Sequence, residues 1–218
     1  MPALTLQQAE SKKLGLIIAK KSLRTFFILY DTQYLVKLFH DVFDKVKKEN
    51  SKLKVSDQLH IVGTLIQHKY LRKMKKNIVV SMLTVNSDSG DSEARVVANS
   101  AAEFSAGPLI YDIAMSHVGW LTSDRSSVSK YAYRIWDYYY HNRNDVEKQK
   151  LEKHLEYLDE EGNTDEILNY KFMLKKPIDV SQLKKNHRDM ILWIGRNIPK
   201  LNMISLAYEF FDELYETD

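Results

Sequence analysis

Apolar residues recur at helical spacing between Leu4 and Lys21, at Leu6, Ala9, Leu14, Ile17 and Ile18, and predict an N-terminal helix with Gly15 as its weakest point. The pattern then changes. Arg24 to Tyr30, RTFFILY, is dense in aromatic and β-branched residues and predicts a buried strand. A helix follows over Asp31 to Lys48, with Asp31 or Thr32 as N-cap, Leu35, Phe39, Val42 and Val46 on one face and charge on the other. Gln58 to Gln67, QLHIVGTLIQ, and Asn77 to Val85, NIVVSMLTV, predict two strands joined by HKYLRKMKK. The turn SDSGDS leads to a third strand over Ala94 to Ser100, completing an antiparallel meander.

From Glu93 to Arg143 the punctuation is that of strand, tight loop, helix, strand, helix. Ser105 to Pro108 breaks the strand, and Leu109 to His117 has the apolar spacing of a helix. Gly119 to Thr122 predicts a short strand. Ser126 to Asn142 predicts a helix capped by Ser126, Ser127 or Ser129, with Ala132, Ile135, Trp136 and Tyr139 on one face. Beyond it, Asp145 to Leu158 reads as a charged helix, DEEGNTD as a surface turn and Ile167 to Leu174 as a last strand closed by Pro177. A helix then starts at Asp179 or Ser181 and reaches about Asn197. Pro199 breaks it, and Met203 to Tyr215 predicts a final helix. This order predicts an α/β (α+β) fold, with a mixed, mainly antiparallel sheet flanked by helices. Its organisation is an N-terminal helical segment over residues 1–22, an α/β domain over 23–175 and a helical extension over 176–218.

Composition narrows the chemistry. The 218 residues include no cysteine, which removes disulfides, thiolate metal sites and cysteine nucleophiles. No apolar run approaches the roughly 20 residues that span a bilayer, and MPALTLQQAESKKLGLIIAKK lacks the regions of a signal peptide, so a soluble intracellular protein is expected. A formal net charge of +3, with acids and bases interspersed, names no partner. The basic run His68 to Lys76 reads as a nucleic-acid or acidic-protein contact, or as a charged hairpin tip. His60 and His68 have no third ligand beside them, and no metal site is expected.

The candidate ligand element is the loop between the Ala94 strand and the following helix, where backbone N–H groups at a helix N-terminus can receive an anion. Gly107 and Pro108 either shape that anion site or simply turn strand into helix. Asp124 and Arg125 either orient a substrate amine or form a local ion pair. The aromatic run WDYYY, Trp136 to Tyr140, either lines a pocket or belongs to the core.

From the Ile61 strand to about Asn142 the chain resembles the GCN5-related N-acetyltransferase (GNAT) superfamily. That resemblance implies a fourth strand splayed from the fifth, with acyl-CoA in the gap. The family's pyrophosphate loop, Arg or Gln, two residues, Gly, one residue, Gly or Ala, falls on Ala102 to Gly107. Gly107 matches, whereas Ala102 stands for the basic or amide residue, Ser105 for the first glycine, and Glu103 adds a negative charge. In the later helix Ser129, Ala132, Ile135 and Trp136 occupy the places of Asn, Ala, an aliphatic residue and the tyrosine that protonates the leaving thiolate. Tryptophan cannot take that role, and Tyr138, Tyr139 or Tyr140 substitutes if the register shifts. The resemblance also implies that the backbone of Val97 to Ser100, Asn99 included, pairs with the pantetheine arm. Ser105, Ala106, Gly107, Pro108 and Leu109 would hold phosphate.

A further likeness is to a GNAT-like group of tailed phages, carried by Gly107 to Asp112 (GPLIYD), Leu121 to Arg125 (LTSDR) and Val128 to Ser129. Two functions follow from these resemblances. One is a catalytically degenerate GNAT-like phage protein that works as a virion structural or interaction protein. It would engage phage or host proteins, oligomerise through its amphipathic helices and reside in the host cytoplasm or the virion. The alternative is an active N-acetyltransferase using acetyl-CoA on a host or phage amine.

Overall fold

A computed structural model describes residues 3–66, 78–86, 94–102, 105–124, 128–152 and 165–197. Within them the elements are α1 (Leu6–Ser11), β1 (Leu14–Lys21), β2 (Arg24–Asp31), α2 (Thr32–Glu49), α3 (Val55–Leu65), β3 (Val79–Asn86) and β4 (Arg95–Ala102). They continue as α4 (Gly107–Val118), β5 (Leu121–Thr122), α5 (Lys130–Asn142), β6 (Val146–Lys150), a 3-10 turn (Ile167–Asn169), β7 (Tyr170–Leu174) and α6 (Ser181–Asn197). The seven strands form one sheet in the order β1-β2-β3-β4-β5-β7-β6. The β3–β4, β5–β7 and β6–β7 pairs are antiparallel, and β4–β5 is parallel. The fold is therefore mixed α/β, with a mostly antiparallel sheet flanked by helices, as the order of elements predicts.

Several local expectations are overturned. The helix expected over Leu4 to Lys21 ends at Ser11, and Lys13 takes a positive φ of 54° before β1 begins. Gly15 marks a close approach within this strand: a Cβ at this position would lie 2.6 Å from the Tyr30 ring. The segment expected as a strand over Gln58 to Gln67 is helical as far as it is described. Gln58, Val62 and Ile66 are buried at a spacing of four, and the Gln58 amide donates to the carbonyls of Asn50 and Leu53 at 3.0 and 3.2 Å. The meander thus loses its first member and keeps β3 and β4. The helix expected from Asp145 is instead edge strand β6, paired from Val146↔Leu174 to Lys150↔Tyr170. Its exposed Glu147, Lys148, Gln149 and Lys150 suit a solvent-facing edge. The expected strand from Ile167 opens with the 3-10 turn and becomes β7 only at Tyr170.

Other expectations hold. Asp31 caps α2, its Oδ1 accepting from the Tyr34 N–H at 2.9 Å, an interaction worth about 1 kcal/mol. Ser129 caps α5 in the same way, accepting from the Ala132 N–H at 3.2 Å. The basic run His68 to Lys76, the turns SDSGDS and Asp159–Thr164, Arg125 to Ser127, Pro199 and the expected helix Met203 to Tyr215 lie outside the described residues.

The chain divides into two compact units. One comprises Met1–Leu6, Ile17–Ile28 and Ser81–Val180. Its core holds Trp136 stacked on Phe172, with centroids 5.4 Å apart, and Tyr111 edge-on to Trp136 at 5.2 Å. The other comprises Gln7–Leu16, Leu29–Val80 and Ser181–Asp218. There the buried face of α2 (Leu35, Leu38, Phe39, Val42, Val46) meets α3 and α6, and Trp193 sits edge-on to Phe39 at 5.0 Å. No described helix is long and apolar enough to cross a membrane.

Candidate functional site

The site arises because β4 outruns its parallel neighbour. β5 is two residues long and pairs only at Arg95↔Leu121 and Val96↔Thr122, so β4 continues from Val97 to Ala102 without it. A bulge interrupts the pairing on the other side of β4, with β3. Thr84 faces Asn99 while Val85 faces Val97, which leaves Ala98 as an extra residue on β4. Beyond Ala102 the chain turns into α4, and a cleft of about 750 Å³ opens there within one unit.

Three elements wall this cleft. β4 supplies Ser100 and Ala102; the loop and the first turn of α4 supply Ser105, Gly107 and Pro108; the first half of α5 supplies Tyr131, Arg134 and Ile135, with Ser129 at its cap. Ser105, where the resemblance expects a glycine, has a φ of 60°, a conformation costing an L-residue about 1–2 kcal/mol. Its carbonyl accepts from the Leu4 N–H at 3.1 Å. Gly107 sits close against α5, where a Cβ would meet Ile135 Cδ1 at 3.0 Å, a tight contact that the isoleucine would have to relieve by a small shift. Ala106 precedes α4 with no side-chain cap, and Pro108 occupies its first turn. Pro108 has no N–H and the Ile110 N–H donates to the Ala106 carbonyl at 3.2 Å, which leaves the Gly107 and Leu109 amides without an intrahelical partner at this end of the helix dipole.

Among the described residues lining the cleft, Arg134 is the one cation, and there is no carboxylate or imidazole. Tyr111 also lines it. Its buried hydroxyl lies 3.1 Å from Ser100 Oγ, and burial pushes its pKa up to about 12, with the Ser100 hydrogen bond pulling the other way. Tyr111 is therefore a protonated phenol at neutral pH.

The three tyrosines expected as candidate acids lie elsewhere. Tyr138 is partly exposed beside the Arg143 guanidinium, 5.9 Å from its ring. The Tyr140 hydroxyl donates to Glu166 Oε1 at 2.7 Å, and that bond is the main cause of its raised pKa. Tyr139 is buried, 2.7 Å from Asp112 Oδ1 and 3.0 Å from the Pro108 carbonyl. Helical rise accounts for the displacement: the cleft meets the first two turns of α5, and residues 138–140 belong to its last turns. Of the expected cofactor-binding residues, Ser105, Gly107 and Pro108 line the cleft. Val97, Ala106 and Leu109 are buried in β4, the loop and α4, and Asn99 contributes its strand backbone.

Behind the cleft, Asp112 joins the two helices. Arg143 donates to both of its carboxylate oxygens at 3.2 Å and to Asp145 at 2.7 Å. Burial pushes the Asp112 pKa up, opposed by Tyr139 and Arg143, whereas the Arg143 hydrogen bond holds Asp145 down. Burial, then the neighbouring Asp112, pushes Tyr139 well above the ordinary phenol range. This network ties the second turn of α4 to the end of α5.

Among the described residues no three His, Asp or Glu side chains cluster to hold a metal ion. Asp124 is half-buried after β5, and its expected partner Arg125 lies outside the described residues. Arg134, Tyr131 and Tyr111 went unrecognised in the sequence. For Tyr111 a signal existed, since it lies one helical turn after Gly107 and so shares its face. Comparison of the chain with protein-family models, curated proteins and solved structures returned no match.

Proposed function

We propose that this chain is a catalytically degenerate, GNAT-like phage protein that keeps a ligand cleft and serves as a virion structural or interaction protein. The observation that carries the reading is the lining of the cleft. Its described residues offer hydroxyls, one guanidinium and apolar side chains, with no group that can take a proton from an amine near neutral pH. The tyrosines that the resemblance would recruit as acid stand outside it.

The alternative, an active acyl-CoA-dependent N-acetyltransferase, is favoured by the divergence of β4 from β5 and by the Tyr111 phenol beside Ser100. Incubating the full chain with acetyl-CoA and a panel of amines separates the two readings. Degeneracy predicts no CoA release above the buffer blank. Turnover that falls on Tyr111→Phe, in a variant that melts cooperatively, establishes the enzyme instead. The interaction role predicts that affinity-purified protein brings down a stoichiometric phage or host protein, or self-associates in light scattering.

A further inference from the structure

We infer that the groove formed by the α1–β1 turn, the start of α2 and the first half of α6 binds a small acidic amino acid, held by Lys185, Asp189 and Lys13. The groove lies wholly within the unit that contains α2 and α6, and the inference does not depend on how the cleft beside β4 is read. Its volume of about 370 Å³ is at the lower end of the range for small-molecule sites. The ligand is therefore small.

Hydrogen bonds to a single turn fix the walls. The hydroxyl of Thr32, buried at the start of α2, donates to the Lys13 carbonyl at 2.6 Å, and the Asn186 amide of α6 donates to the next carbonyl, that of Leu14, at 2.9 Å. Asn186 is held in its turn, its Oδ1 accepting from Gln182 Nε2 at 2.8 Å. Lys13 has a φ of 54°, so a long cation stands on this wall where the backbone alone favours glycine.

Charge gives the class. Lys13, Lys185 and Asp189 all line the groove and are exposed, and none of the three forms an ion pair among the described residues. Lys185 and Asp189 lie one helical turn apart and share a face of α6. An α-amino acid carries a carboxylate and an ammonium on one carbon, so its head group can span this pair, carboxylate on Lys185 and ammonium on Asp189. Lys13, on a different wall, is left for a second carboxylate. Two cations and one anion in the described lining thus answer the two carboxylates and one ammonium of glutamate or aspartate. Buried Met190 gives the methylenes between those groups an apolar surface.

The test is calorimetry of the full chain with L-glutamate, glutarate and L-glutamine as separate probes. Glutamate is expected to bind most tightly, because glutarate lacks the ammonium and glutamine the second carboxylate, and its binding should weaken as salt rises. Asp189→Asn should weaken glutamate by about fivefold or more without weakening glutarate, and Lys13→Gln should weaken glutamate similarly and leave glutamine unchanged. Both side chains are exposed, so both variants should melt like the parent. The inference is overturned if glutamate fails to bind at millimolar concentration, if glutarate or glutamine binds as tightly as glutamate, or if neither variant changes glutamate affinity.

Discussion

Tyr139 and Tyr140 are neighbours in sequence and differ in what their hydroxyls do. The Tyr139 hydroxyl is buried, donating to the Asp112 carboxylate at 2.7 Å and lying 3.0 Å from the Pro108 carbonyl. Tyr139→Phe removes one donor from a buried carboxylate and leaves Arg143 to satisfy it alone. A hydrogen bond to a charged group is worth about 1.5–3 kcal/mol, and the ring still fills its place against Phe172, so no cavity term adds to the loss. The expected result is a lower urea midpoint at unchanged slope, equivalent to that range. Tyr140→Phe removes an equally short bond, to Glu166, in an exposed setting where water replaces it, and the midpoint should not move measurably. Equal losses in the two variants, or a loss confined to Tyr140→Phe, would refute the assignment of Tyr139 to the network behind the cleft.

Gly15→Ala should destabilise by about 1–3 kcal/mol, because the new methyl meets the Tyr30 ring at 2.6 Å. Gly195→Ala, in α6 with open space around the new Cβ, should stabilise by about 0.5–1 kcal/mol; matching signs in denaturation would contradict the packing described. His187 accepts or donates at 2.9 Å with the Tyr30 hydroxyl, and burial holds its pKa below the ordinary value of 6.5. The unfolded chain therefore binds the extra proton first, so stability is lost as pH falls from about 6.5 through the lower folded value. Urea midpoints at pH 7.5 and 5.0 should differ more for the parent than for His187→Gln, and an identical difference would remove His187 as the cause.

Local signals were legible in the sequence and non-local ones were not. The Asp31 cap and the spacing of Leu35, Phe39, Val42 and Val46 specify α2 by themselves, since capping and a period of 3.6 are properties of one segment. Gln58 to Ile66 has the length and β-branched content of a strand, and its helix is decided by burying Gln58, Val62 and Ile66 at helical spacing. β6 is a strand only because β7 stands beside it, some twenty residues later. At the site, Gly107 and Pro108 announce the turn into α4. Which residues of α5 face the cleft depends on the rotation of that helix, set by Trp136 against Phe172 and Tyr139 against Asp112. That rotation brings Arg134 and Tyr131 to the cleft, and Tyr138, on the same face, lies beyond it because of the rise along the helix.

The central proposal is that the described lining of the cleft holds no group able to take a proton from an amine, so that acyl transfer does not occur there. CoA release from acetyl-CoA, followed with the full chain and a panel of amine acceptors between pH 6 and 9, tests it most directly. The account predicts a rate indistinguishable from the protein-free blank at every pH. Protein-dependent release that saturates with acetyl-CoA and drops on Tyr111→Phe would contradict it.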